Sequence, residues 1–179
     1  LKDDAVAEIA ICGKYMEIDD SYVSVEEALK HASAELGGSV DIDQISTEEV
    51  DDSRLEEIEG YDGIIIPGGF GSRGVEGKIE IIRHCRENNI PILGLCYGMQ
   101  LMVVEFTRNV LGISSASSKE FADERDEIVI DEMPDQKEID EKGGTMRLGA
   151  YTADITGQVS EIYGSDTATE RHRHRYEVD

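Results

Sequence analysis

Two stretches decide the fold: Gly63-Ile64-Ile65-Ile66-Pro67-Gly68-Gly69-Phe70-Gly71 and Ile90-Pro91-Ile92-Leu93-Gly94-Leu95-Cys96-Tyr97-Gly98-Met99-Gln100. Each is a short run of apolar residues that breaks into glycine. The triple isoleucine over Gly63–Pro67 and the continuous run Ile90–Leu95 read as strands without polar alternation, the pattern of a parallel sheet covered on both faces. Between them Val75–Asn88 carries helical periodicity. After the second run, Gly98–Asn109 reads as a helix with Met99, Met102, Val103 and Phe106 on one face.

Working outward, Val6–Cys12 is a further buried strand ending at Gly13. Ser24 precedes a helix with Val25, Ala28, Leu29, Ala32 and Leu36 at helical spacing. Glu27 completes a capping box with Ser24, and Gly37-Gly38 ends the helix. Val40–Ile45 is a strand, and Glu48–Ile58 a short acidic helix. Strands alternating with helices imply right-handed βαβ units. The expected fold is therefore three-layer α/β and flavodoxin-like, a mostly parallel central sheet flanked by helices. From about residue 127 the pattern shifts to shorter strands near Ile128–Ile130, Thr145–Tyr151 and Arg173–Val178, a smaller antiparallel element. No repeat or boundary is visible, so residues 1–179 read as a single domain. Ligands in such sheets bind beyond the carboxyl ends of the strands, which puts Gly68–Gly71 and Cys96 on one rim.

The chain has 179 residues, 39% of them hydrophobic, and a formal net charge of −23. Residues 61–120 hold equal numbers of acids and bases, so the excess falls on the flanking regions. Such a charge disfavours nucleic acid and anionic membranes as partners. No apolar run reaches the length of a membrane span, and no signal-peptide pattern opens the chain. Three widely spaced cysteines do not form a disulfide framework and point to a reducing, cytoplasmic setting. Acids spread over periodic segments, with few lysines, fit a surface kept soluble in concentrated salt, a halophilic cytoplasm.

Gly94-Leu95-Cys96-Tyr97-Gly98 has the form of a nucleophile elbow, a tight strand-to-helix turn that pushes the middle side chain outward. The following amide, of Tyr97, can donate to an oxyanion, and the helix N-terminus favours the thiolate. The plainer reading makes Cys96 a small buried hydrophobe. That reading suits Cys12, which ends a strand, and Cys85, which continues the Ile79/Ile82 face. The Pro67–Gly71 run allows close backbone approach to a phosphate or to an oxyanion. No Lys-Ser/Thr follows, so it is no P-loop. Arg171-His172-Arg173-His174-Arg175 is the basic run. One of its arginines could hold a substrate carboxylate by paired hydrogen bonds, or the run could form ion pairs on the acidic surface. Its His-x-His pair lacks further ligands at metal-site spacing, and no metal is expected.

With these motifs in hand, the chain resembles the glutamine amidotransferase (class I, triad-type glutaminase) domain of the CTP synthase family over nearly its full length. The resemblance rests on Gly13-Lys14-Tyr15, Ser24–His31, Pro67–Gly71 with Arg73-Gly74 and Glu76-Gly77-Lys78, Gly94–Gln100, and Glu105-Phe106 with Arg108-Asn109. It continues through Glu120-Phe121, Gly143–Gly149 and Glu170–Val178, the last two being its most specific runs.

The resemblance implies that Cys96 attacks the glutamine carboxamide and forms a glutamyl thioester, releasing ammonia. Gly69 and Tyr97 would supply the oxyanion amides. Gly98, Met99, Gln100, Glu120 and Arg175 would complete the glutamine site, with Arg175 on the substrate carboxylate. No cofactor is expected in this domain. ATP and Mg²⁺ would serve a synthetase domain that precedes residue 1 in the family and aminates UTP, GTP would act as activator, and the whole enzyme would be a homotetramer.

Departures qualify the resemblance. Tyr97 stands where the family usually has Leu, and Lys119 interrupts the usual Ser-Thr-Glu-Phe. The family's His-Pro-Glu motif, which carries the triad His and Glu, has no counterpart: none of His31, His84, His172 or His174 is followed by Pro-Glu. The chain is accordingly expected to be C-terminally incomplete and to turn over poorly alone. The alternatives are a sister amidotransferase of the GMP synthetase type and a non-catalytic flavodoxin-like module with an inert Cys96.

Overall fold

The computed structural model describes residues 6–14, 21–137 and 147–179. They fall into two compact units, one within Leu1–Ile130 together with Val178–Asp179, the other Asp131–Glu177.

In the first unit, β1 (Val6–Gly13), β2 (Ser39–Ser46), β3 (Gly63–Ile66) and β4 (Ile92–Gly94) form a parallel sheet in the order β2-β1-β3-β4. Crossovers α1 (Val23–Leu36), α2 (Asp52–Ile58) and α3 (Val75–Asn88) link successive strands, and α4 (Tyr97–Asn109) follows β4. The alternation of side chains along a strand sorts the core. Ile11 and Ile65 face α1, packing with Tyr22, Val25 and Leu29. Ala10, Cys12, Ile64 and Ile66 are buried on the opposite face, where α3 and α4 supply Ile79, Ile82, Cys85, Leu101 and Val104. This is the expected three-layer α/β arrangement.

Local chemistry sets most element ends. The Asp51 carboxylate accepts from the Arg54 amide at 3.0 Å and starts α2. Gly37 adopts φ +77° and ends α1, with the Gly38 amide returning to the Ser33 carbonyl. The Ser24/Glu27 capping box does not form. The helix begins at Val23, which places Ser24 inside the first turn, and the Tyr22 carbonyl accepts from the amides of Val25 and Glu26. The acidic helix is shorter than Glu48–Ile58 because its cap is Asp51.

Two expectations fail for tertiary reasons. The Ile90–Leu95 run contributes only three strand residues, and Leu93 is 55% exposed, because β4 is the sheet's edge among the described residues. The face of α4 bearing Met99, Met102, Val103 and Phe106 is also not the buried one. Met99 and Phe106 are exposed, while Gln100, Leu101, Val104, Glu105 and Thr107 pack inward. Glu105 is inside because Arg86 of α3 meets it with a fork of hydrogen bonds, Nε to both carboxylate oxygens at 3.1 Å and Nη2 to Oε1 at 2.8 Å.

Beyond α4, β5 (Ala116–Ser118) pairs in parallel with β6 (Glu127–Glu132). In the second unit β7 (Arg147–Asp154) and β8 (Thr167–Arg173) pair antiparallel around α5 (Gln158–Tyr163), an antiparallel element as expected. The expected Arg173–Val178 strand is interrupted: β8 stops at Arg173, His174-Arg175 form a bend, and β9 (Tyr176–Val178) follows. Residues 143–146 of the Gly143–Gly149 run, Thr145 among them, and Tyr15 lie outside the described residues.

Candidate active site

The site is built where β3 and β4 end. At the end of β4 the chain turns sharply into α4, and Cys96 at the apex has φ +51°, ψ −103°, a conformation seldom adopted outside glycine. The flanking glycines are required by contact. A Cβ on Gly98 would stand 2.1 Å from the Ile66 carbonyl oxygen, and one on Gly94 would stand 2.6 Å from the Met99 amide nitrogen. The start of α4 therefore presses directly on the end of β3, and the Leu95 amide continues the ladder to the Ile66 carbonyl at 2.9 Å.

Pro67–Gly71 leaves β3 and passes beside this turn. A Cβ on Gly68 would lie 3.8 Å from that of Cys96, so the glycine loop and the nucleophile candidate are immediate neighbours. The Tyr97 hydroxyl donates to the Gly71 carbonyl at 2.5 Å, and the Gly71 amide donates to Glu120 Oε1 at 2.8 Å. Glu120 sits in the turn after β5, where its amide meets Ser118 Oγ and the next amide meets the Ser118 carbonyl. Lys14, at the end of β1, donates from Nζ to the Phe70 carbonyl and stands over the Phe70 ring.

Cys96 is exposed, whereas Cys12 and Cys85 are buried. Burial pushes both of those thiols up to about 12, which makes them inert hydrophobes. At Cys96 three influences compete. Atoms crowding the sulfur desolvate it and raise its pKa, the Tyr97 amide hydrogen-bonds the sulfur and lowers it, and the Glu120 charge raises it. Desolvation is largest, so the net shift is upward. This corrects the expectation that the helix terminus alone would favour the thiolate. The same amide contact shows that Tyr97 N–H faces the Cys96 sulfur.

Gly69, Cys96, Tyr97, Gly98, Met99, Gln100 and Glu120 all belong to the first unit. Gly98 and Gln100 are buried under the elbow and Met99 is exposed. Arg175 belongs to the second unit. There Nη1 donates to Glu132 Oε1 at 3.1 Å, while the buried Nη2 has no partner among the described residues. An alternating strand would have placed Arg175 beside Arg171 and Arg173; the bend separates it from them. The rings of His172 and His174 lie 5.1 Å apart, and His174 is held below its usual pKa by burial and by the neighbouring His172.

Sequence reading names Lys78 among the residues of the resemblance but gives it no place in the site. It is 1% exposed on the inner side of α3, with Nζ 5.3 Å from the Tyr97 ring centroid. Burial and the nearby Lys14 charge push it down to about 8. Its signal was present: a lone lysine between Val75 and Ile79/Ile82 on an apolar helical face.

Residues 17–179 match the family Glutamine amidotransferase class-I. The chain is 52% identical over 180 residues to a CTP synthase of Methanococcus maripaludis, covering 96% of this chain and 34% of that protein. It is 53% identical over 174 residues to a CTP synthase of Pyrococcus abyssi, covering 96% and 32%. The chain thus spans about a third of the length of these relatives. Among solved structures it superposes on the Trypanosoma brucei CTPS glutaminase domain with bound acivicin at TM-score 0.85 and 39% identity, covering 96% of this chain and 68% of that one.

Proposed function

The chain belongs to the class-I glutamine amidotransferase family, and from that premise we propose that it is the glutaminase part of a CTP synthase, hydrolysing L-glutamine through Cys96. The observation that carries this reading is the elbow: an exposed thiol held at positive φ against a glycine loop, with the Tyr97 amide facing its sulfur. The Cys96 thiolate adds to the carbon of the glutamine side-chain amide. The oxyanion so formed is met by the amides of Gly69 and Tyr97. Collapse of the adduct breaks the C–N bond, the nitrogen takes up a proton and leaves as ammonia, and a glutamyl thioester remains. Water then cleaves the thioester to glutamate and restores the thiol.

In this reading Gln100 and Glu120 orient the substrate's amino end, the backbone at Gly98 and Met99 lines the site, and Arg175 pairs with the substrate carboxylate. The relatives named above are CTP synthases of which this chain is about a third, so we place amination of UTP, its ATP and Mg²⁺, activation by GTP and a homotetrameric assembly with the whole protein. The synthetase domain is the natural recipient of the ammonia. Free cysteines fit a cytoplasmic location, no helix among the described residues is long and apolar enough to cross a membrane, and the net charge of −23 fits a halophilic one.

Incubation with acivicin followed by peptide mass spectrometry tests the assignment. One adduct is expected, on Cys96, with Cys12 and Cys85 untouched. Absence of a Cys96 adduct overturns the reading in favour of a non-catalytic module.

A further inference from the structure

Tyr97 does more than lend an amide. Its side chain is only 2% exposed and is the largest fully buried one among the described residues. It is hydrogen-bonded to the glycine loop at Gly71 and lies beside it at Gly69. The hydroxyl holds the Gly71 carbonyl at 2.5 Å, and Cδ1 lies 3.6 Å from where a Cβ on Gly69 would stand. The ring is fixed in turn by two neighbours, the Lys78 ammonium over its face and the Phe121 ring at 6.5 Å, edge-on at 89°. One residue therefore stands covalently beside the nucleophile while its side chain grips the loop opposite.

We propose that the Tyr97 side chain, seated between Lys78 and Phe121, is a positioning residue that sets the Gly69 amide at its working distance from Cys96. The proposal rests on the glutaminase reading, because its consequence is felt by the oxyanion of that reaction. Two amides can share one oxygen only if the loop and the elbow keep a common register. The Leu95–Ile66 ladder bond ties the elbow to the end of β3, but it stops three residues short of Gly69. The Tyr97 hydroxyl bond spans the two segments directly, and Glu120 holds Gly71 from the other side. Such a residue strengthens interactions made in the transition state and leaves substrate binding nearly alone.

The test compares wild type, Tyr97→Phe and Lys78→Met in first-turnover ammonia release over a range of glutamine concentrations. Iodoacetamide alkylation of Cys96, a displacement that forms no oxyanion, is measured in parallel, together with hydrogen exchange at Gly69–Gly71. Removing a whole oxyanion donor costs about 10²–10³ in rate, and loosening one should cost less. Tyr97→Phe is expected to slow ammonia release about tenfold at saturation, with half-saturation moved less than twofold. Alkylation should be unchanged and exchange at the loop faster. Lys78→Met should fall between Tyr97→Phe and wild type. An active wild type with an equally active Tyr97→Phe overturns the positioning role alone, and so does a variant whose alkylation slows in step with ammonia release. A wild type that neither releases ammonia nor takes an acivicin adduct on Cys96 overturns the glutaminase reading, and unchanged exchange at Gly69–Gly71 in Tyr97→Phe overturns the clamp whatever the ammonia result.

Discussion

Glu120 Oε1 accepts the Gly71 amide at 2.8 Å, and the same carboxylate lies close enough to Cys96 to raise its pKa. One side chain thus orders the glycine loop and opposes the thiolate. On the proposed glutaminase reading, a substrate ammonium at Glu120 would neutralise that charge and favour the Cys96 thiolate.

Glu120→Gln separates the two effects, since its amide oxygen can still accept from Gly71. Removing a negative charge beside an acid favours the ionised form. The pH profile of iodoacetamide alkylation at Cys96 is expected to move to lower pH in the variant. A profile that stays in place or moves upward contradicts the assignment of Glu120 as a like-charge neighbour.

Backbone strain at Cys96 predicts a stability difference between two variants that lack the thiol. A non-glycine residue held at φ +51° costs of order 1–3 kcal/mol, and glycine avoids this at an entropic cost of roughly 0.5–1 kcal/mol. Cys96→Gly should therefore melt a few degrees above Cys96→Ala, at about 2–4 °C per kcal/mol for a chain of this size. Equal melting temperatures would show that the elbow carries no strain.

The half-buried Arg86 guanidinium and the buried Glu105 carboxylate join α3 to α4. Glu105 is 1% exposed, so removing its cation leaves a buried charge held, among the described residues, by Asn109 at 3.2 Å. Arg86→Met is expected to cost about 3–5 kcal/mol in urea denaturation, and Arg86→Met/Glu105→Met together much less. Additive losses would mean that the two groups stabilise the helices independently.

Charge self-repulsion sets the salt response. With a net charge of −23, the compact state gains from screening, and the Debye length falls from about 10 Å at 0.1 M to about 3 Å at 1 M. The melting midpoint should climb steadily from low to molar KCl. A midpoint flat across that series removes the halophilic proposal.

Much of this was legible in the residues, and the successes share a cause. Val75–Asn88 is the observed α3, the triple isoleucine is a fully buried strand, and the elbow at Cys96 forms where two glycines flank it. The misreadings share one too. Apolar residues on α4 and β4 were assigned to the interior by pattern, yet Leu93, Met99 and Phe106 are exposed, while Glu105 and Lys78 went inside on the strength of distant partners.

By itself the chain of residues determined the strand–helix alternation, the carboxyl-end rim and the thiol at the turn, because backbone sterics and local burial act between neighbours. Folding alone decided which side of α4 meets the sheet, that Tyr97 bridges to Gly71, that Glu120 arrives beside Cys96, and that Arg175 turns to Glu132. Those outcomes depend on contacts between segments tens of residues apart, where desolvation and partner geometry outweigh intrinsic propensity.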